Sequence, residues 1–320
     1  MFRIKRRTRV AFVLVMLLVP WVLKLVPGVS HYLDILVFAG IYTLATIGLS
    51  MLMGYAGQIS LGHAAFFGIG AYVSGILTVR YGWNPWFCMF VGVIVCVIVS
   101  FLIGTPCLKL QGHYLAMATL AFGIIVFIVF SEEIEMTGGP DGMGGIPGLS
   151  LFGFKFNSVL SYYYLVWGVV TIAFLFSVNV IQSRIGRALR ALHSSETGAN
   201  AMGINVSGYK LQIFVYSAVL ASVAGSFYAH YINFVSPGSF DVHFSIKLLI
   251  MIVVGGMYSI WGAVWGSILI AFLSLEWLEM FKEFEVLAYG VILLLVTIFL
   301  PNGLVGLPAQ VMGWVEKRKK

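Results

Sequence analysis

Charge is scarce in this 320-residue chain. Asp, Glu, Lys and Arg together make up 10% of it, hydrophobic residues make up 60%, and mean hydropathy is +0.99. That balance excludes an ordinary soluble domain, which carries far more polar surface. Cysteine is nearly absent. Cys88, Cys96 and Cys107 lie in or beside one apolar segment, an odd set without CxxC spacing. That excludes a disulfide framework and a zinc site and leaves small buried hydrophobes as the reading. No GxxxxGK[ST] occurs, so the chain has no P-loop with which to bind ATP. His31, His63, His113, His193, His230 and His243 are scattered without HExxH or an acidic companion at metal spacing, and no nucleophile elbow appears, so a membrane enzyme has little support. Acidic residues keep to the ends of apolar runs and to loops, which leaves few candidates for a proton relay.

Long apolar runs are what the chain does have. They fall at about 10–26, 34–53, 59–79, 86–105, 114–130, 162–181, 211–232, a long run at 244–276, and 286–300, most of them near the length that crosses hydrocarbon as a helix. The basic start and apolar core of residues 1–30 look like a signal peptide, but later spans already commit the chain to the membrane, so the segment is read as a retained first span. The fold class is an all-α integral membrane protein in a single domain over 1–320. Net charge is +7, yet the basic residues collect at the chain ends and in one loop, which fits lipid orientation and not a nucleic-acid partner.

Charge bias threads the runs. Arg3, Lys5, Arg6, Arg7 and Arg9 hold the N-terminus in the cytoplasm, and alternation puts Lys109 inside and the loop 131–161, with Glu132, Glu133, Glu135 and Asp141, outside. Arg184, Arg187, Arg190 and Lys210 of the loop 182–210 then fall inside. A single span over 244–276 would leave the basic tail 308–320, ending "EKRKK", on the exterior, against the bias. A turn within "VGGMYSIWGAVWG" (254–266) returns the tail to the cytoplasm and puts Glu276, Glu279, Glu283 and Glu285 outside. This gives about ten membrane segments, two of them only about a dozen to fifteen residues long, too short to cross unaided. Such segments need shielding by neighbours or a wet cavity.

The stretch "MGYAGQISLGHAAFFGIGAY" (53–72) sets Gly54, Gly57, Gly62, Gly68 and Gly70 in apolar sequence, with Gln58, Ser60 and His63 among them. Glycine permits close helix packing in lipid, and it also marks the helix breaks from which transporters build solute sites. Gly54 and Gly57 fall at the turn between two spans, which favours a break there. Ser60 is then a candidate cap for the helix beginning at "LGHAAFF". His63 reads either as a hydrogen-bonded structural residue or as a functional one.

The loop 182–210 carries a second pattern. "SRIGRALRALHSS" places Arg184, Arg187 and Arg190 on one helical face with Ile185, Leu189 and Leu192 around it. Ser194 or Ser195 then caps a short helix, "ETGANAM", with Glu196 in its first turn and Gly203 as its stop. Positive-inside bias accounts for the arginines but not for a short helix with start and stop signals, so the loop reads as a docking device.

These motifs resemble those of the permease subunits of branched-chain amino-acid ABC importers, the LivH/LivM family, and more closely its LivM-like branch. "GYAGQISLGHAAFFGIGAY" is similar to the family signature. "LKLQGHYLAMATLAFG" (108–123), "TGGPDGMGGIPG" (137–148), "GRALRALHSSETGANAMGINVSGYKLQIFVYSAVLASVAGSFYAHY" (186–231) and "GGMYSIWGAVWGSIL" (255–269) follow in family order. The similarity runs over about residues 35–305. Ile124 and Phe127 stand where the family usually has Glu and then Arg, and His193 and Ser194 where Arg-Glu is common.

The resemblance implies uptake of Leu, Ile or Val by alternating access across the bacterial inner membrane, with both termini cytoplasmic. It implies a second, LivH-like permease subunit, two ATP-binding subunits that hold the ATP, and a periplasmic or lipid-anchored binding protein, with no cofactor on this chain. Gly54, Gly57, Gln58, Ser60, His63 and Thr119 are the pathway candidates. Arg187, Arg190, Glu196, Gly203 and Asn205 are the candidates for coupling to the ATPase. Family members also carry urea, short amides and other amino acids, and a stand-alone small-solute channel is the rival class.

Overall fold

Runs this apolar fold as helices because a helix satisfies its own backbone where no water can. Capping residues and left-handed stops then decide where each begins and ends. The computed structural model describes residues 31–151, 153–156, 158–277 and 285–307, together with residues 16 and 18–20. Apart from a single helical turn at Ile134–Thr137, the helices are α1 Tyr32–Ser50, α2 His63–Tyr81, α3 Pro85–Cys107, α4 His113–Glu132, α5 Val159–Gln182, α6 Arg184–Ser194, α7 Glu196–Ala201, α8 Val206–Ile232, α9 Val242–Gly255, α10 Ile260–Phe272 and α11 Glu285–Phe299. Asn84, with Pro85 after it, caps α3 by accepting from the Trp86 amide at 2.9 Å. Ser158 caps α5 and Asp241 caps α9 in the same manner.

Eight helices among the described residues are long and apolar enough to cross a membrane, and a further apolar helix, Ile260–Glu276, is shorter. The chain is thus an all-α membrane protein with multiple spans. Most of the expected first span (10–26), the tail 308–320, and Glu279 and Glu283 lie outside the described residues. The expected turn in 254–266 is present at residues 256–259, between α9 and α10. Its two arms are longer than the sequence suggests. A 3₁₀ turn, Pro237–Phe240, precedes α9, and a π turn, Leu273–Trp277, prolongs α10. The first arm, Pro237–Gly255, therefore reaches spanning length.

α1 is the axis. Its apolar stretch is 94% buried, against 11% for the stretch that contains α11. α5, α8 and α10 pack around α1, and α8 also lies along α2 and α3. Small residues bring α2 and α8 into backbone contact. A Cβ on Gly70 would collide with the Ser222 carbonyl, and one on Gly225 with the Phe67 carbonyl. The outer faces of α3 and α4 present Phe90, Ile98, Leu102, Met117 and Ile125, as expected where the solvent is lipid. Cys88 and Cys96 are fully buried, and the Cys96 thiol donates to the Phe66 carbonyl at 3.4 Å.

Long-range contacts sort the connections to two ends. At one end β1 Met143–Gly144 pairs antiparallel with β4 Phe234–Val235, and β2 Ser150–Leu151 forms a hairpin with β3 Phe154–Lys155. His230 there bonds the Pro147 carbonyl at 2.8 Å, and Tyr231 donates to Asp34 at 2.5 Å. At the other end lie α6, α7, the start of α8, the α3–α4 turn, residues 256–259 and residues 302–303. Gln111 reaches Glu196 at 2.8 Å, and Gly256 and Gly303 pack backbone to backbone.

Candidate functional site

α1 does not turn simply into α2. At Ser50 it widens into a π turn, Met51–Tyr55, and a limb without helix, residues 56–62, leads to His63. Depth follows from shared neighbours. Gly48 of α1 packs on the Ser217 backbone, and His63 Nε2 bonds Ser217 Oγ at 3.0 Å, so both lie level with Ser217. Ser217 stands about 18 Å along α8 from Asn205 at about 1.5 Å per residue, near the midpoint of that 27-residue helix. The chain therefore descends as helix, reverses near the α6–α7 end, and climbs back to mid-depth as irregular backbone.

Backbone of that kind needs partners inside the protein or in a wet cavity. Side chains from two helices and carbonyls of the π turn supply them. Leu61 N–H donates to Thr119 Oγ1 of α4 at 3.0 Å, and Ala64 N–H donates to Ser245 Oγ of α9 at 3.0 Å. Gln58 N–H bonds back to the Leu52 carbonyl at 3.1 Å and Gly57 N–H to the Met53 carbonyl at 3.2 Å. Gly57 has φ 69°, a left-handed conformation that glycine adopts without penalty.

Ser60 differs from its expected role. The residue before α2 is Gly62, with no side-chain cap, because Ser60 Oγ is turned to His63 Nδ1 at 3.1 Å. Ser217 Oγ donates to the Phe214 carbonyl at 2.9 Å, which leaves it to accept from Nε2–H and leaves Nδ1 to accept from Ser60. His63 is thus a fully buried pin between the limb and α8. Thr119 is likewise engaged, donating to the Ala116 carbonyl at 3.0 Å. Gln58 is the exception: it is 2% exposed, and neither Nε2 nor Oε1 has a hydrogen-bond partner among the described residues.

The glycines divide between two jobs. Gly54, Gly57 and Gly62 lie at the break, where Gly54 seats the Met257 carbonyl and Gly62 the Thr119 carbonyl. Gly68 and Gly70 serve packing, against Phe130 and Phe240 and against α8. The two glycine-rich breaks also meet each other. Ser50 Oγ donates to the Met257 carbonyl at 3.2 Å and Tyr55 OH to the Tyr258 carbonyl at 3.0 Å.

The loop after α5 holds two helices in place of one face and a cap. Ser183 Oγ accepts from Ile185 N–H at 3.1 Å to start α6. Leu189 and Leu192 are buried, whereas Ile185 is 40% exposed and does not join them. Arg184 and Arg187 are exposed. Arg190 leaves the expected basic face, since its Nη1 donates to the Ile181 carbonyl at the end of α5, 3.2 Å away. Ser195, not Ser194, starts α7 by accepting from Gly198 N–H at 3.0 Å. Gly203 N–H bonds the Asn200 carbonyl and Ile204 N–H the Ala199 carbonyl, a Schellman stop with Gly203 at φ 77°. Asn205 caps α8 through Gly208 N–H at 3.0 Å. Glu196 pairs with Lys210, which is buried, and accepts from Gln111. The break, the 256–259 turn and this loop converge on His193, whose ring stands 5.8 Å from that of Tyr258.

Sequence reading misses Ser217, Ser245, Tyr258 and the reach of His193. Serine in an apolar helix is the available signal, but it does not name a partner far along the chain. Ile124, 40% exposed, and the half-buried Phe127 lie on α4, with Ile124 on its outward side.

Multiple apolar helices, one entered at mid-depth through a polar break, define a multi-pass membrane permease. The chain belongs to the family of branched-chain amino acid transport system permease components, whose model matches residues 31–300. It is accordingly a transport component and not an enzyme. It is 33% identical over 294 residues to the high-affinity branched-chain amino acid transport system permease protein LivM of Escherichia coli, covering 85% of this chain and 69% of the relative. BraD of Pseudomonas aeruginosa, a permease protein of the same kind of system, is 28% identical over 88% of this chain and 98% of its own. LivH of Escherichia coli is 26% identical over 83% of this chain and 92% of its own. No solved structure matches.

Proposed function

We propose that this chain is the membrane-spanning subunit of an ATP-driven importer for Leu, Ile and Val, working by alternating access. The likeness to LivM along most of the chain carries the reading. It sits in the bacterial inner membrane with ten segments, the retained first span and the α9–α10 pair included, and with both termini in the cytoplasm. The end that gathers α6, α7 and the 256–259 turn is then cytoplasmic, and the β1–β4 end faces the binding protein. A LivH-like subunit completes the pathway, and two separate ATPase subunits supply the energy. Likeness to both LivM and LivH supports a paired permease.

α7 docks on the ATPase. Its start and stop signals define a rigid element, Arg184, Arg187 and Met202 are exposed around it, and Glu196 ties it to α8 and to the α3–α4 turn. Gly203 and Asn205 set its angle to α8, and Arg190 anchors α6 to α5. Closure of the ATPases moves α6–α7 as one body and favours one of two packed arrangements of the break. Gly54, Gly57, Gln58, Ser60, His63 and Thr119 form the moving wall of the pathway.

Reconstitution into vesicles tests this. Leucine should accumulate only when the permease pair, both ATPases, the loaded binding protein and ATP are all present. Downhill flux through the isolated chain would establish the channel class instead.

A further inference from the structure

Of the polar side chains at the break, most are committed. Ser60 and Ser217 hold His63 from both ring nitrogens. Thr119 serves the Leu61 amide, and Ser245 serves the Ala64 amide. Their hydrogen bonds hold the limb in place, which is a structural duty. Gln58 has no such duty, for its side-chain amide is buried with both ends unmet among the described residues.

A primary carboxamide brings two donors and an acceptor with two lone pairs. Leaving them unmet inside a protein is a standing penalty that an apolar side chain of the same length avoids. Polar groups that are kept in such surroundings mark solute routes in membrane proteins. Gln58 also stands where the backbone can give. Its limb has no helical ladder, and the preceding Gly57 is exposed, left-handed and in contact with His193 of α6.

We infer that the Gln58 carboxamide is the polar contact for the zwitterionic head of the transported amino acid, met when the limb shifts. This deepens the importer reading and rests on it. A branched aliphatic side chain finds apolar surroundings throughout the bundle. Its carboxylate and ammonium do not, and inside the bundle they need donors and an acceptor together. The carboxamide offers both without adding a charge, and it can rotate between them. Ser60, His63 and Thr119 become the supports that aim the limb, and Gln58 the group that meets the solute.

The test uses the complete complex in vesicles, with saturating binding protein loaded with radiolabelled leucine, and compares Gln58→Met with Gln58→Asn. The Met variant keeps length and removes hydrogen bonding, whereas Asn keeps the chemistry on a shorter stem. Uptake by Gln58→Met should fall about tenfold or more, the scale of one lost hydrogen bond to a charged group. Its thermal midpoint should hold or rise, and Gln58→Asn should retain clearly more uptake. Wild-type uptake by Gln58→Met overturns the assignment, as does equal impairment of the two variants. Failure of Gln58→Met to assemble makes the amide structural and overturns it too. A wild-type complex that does not accumulate leucine overturns the importer reading along with this one, whereas an indifferent Gln58→Met beside an active wild type overturns this one alone.

Discussion

The imidazole of His193 lies against the bare α-carbon of Gly57, so that a Cβ built there would stand 2.5 Å from Nδ1. One residue lies in the last turn of α6, just before α7, and the other opens the limb that climbs to His63. A movement of α6–α7 thus has a direct route to the break, with Tyr258 closing the third side.

Gly57→Ala is expected to suffer twice, from a left-handed φ and from overlap with His193. The φ alone costs about 1–2 kcal/mol, read as a lower thermal midpoint of the purified complex. Adding His193→Ala should recover part of the loss and leave the φ cost behind. A double variant no more stable than the single one would show that the contact carries no load.

Gly203 separates conformation from crowding, because a Cβ there meets nothing within 4 Å. Gly203→Val should therefore disturb only the stop of α7. Uptake should drop while ATP hydrolysis by the assembled complex persists. Gly203→Asn should behave close to wild type, since Asn tolerates φ above zero. The ratio of leucine imported to ATP hydrolysed is the measurement.

The Glu196–Lys210 pair joins a half-exposed carboxylate to a buried ammonium. Glu196→Met strands the cation and should cost about 1–3 kcal/mol, less than a fully buried pair because water screens the carboxylate side. Glu196→Met with Lys210→Met should be less harmful than Glu196→Met alone. Thermal midpoints of the three variants decide it.

Orientation is open to chemical labelling. On a chain with Cys88, Cys96 and Cys107 replaced, a cysteine at Ser239 should react with an impermeant maleimide in intact cells. Cysteines at Asn200 and Lys319 should react only after permeabilisation. A tail labelled from outside would overturn the ten-segment layout.

Local signals were the legible ones. The start and stop of α7 are written within nine residues, Ser195 to Gly203, and both act there as a sequence reader expects. The turn at 256–259 followed from the charge of a tail far away from it. What stayed hidden depends on partners distant in the chain. His63 meets Ser217 across 154 positions and Ala64 meets Ser245 across 181. Hydroxyls in apolar helices often bond their own preceding turn, as Thr43 and Thr78 do, so residue type did not single out Ser217. Nor does composition tell Gly57 from Gly70, because one is required by its φ and the other by the helix it touches. Ser60 looked like a cap because its spacing allowed it, but His63 offered a stronger partner inside the bundle.

The early helix α1 has consequences for how the chain is made. Thr46 waits for Ser267, 221 positions later, to complete its 2.8 Å bond, and α8 and α10 are the last large surfaces to close around it. During synthesis the most central helix therefore emerges long before the helices that cover it, its Thr43 and Thr46 hydroxyls bonded only to carbonyls of their own helix. A chain terminated before about residue 270 leaves that helix permanently without its late neighbours. Truncation before that point should therefore lower the amount of protein held in the membrane and not leave a partly working one.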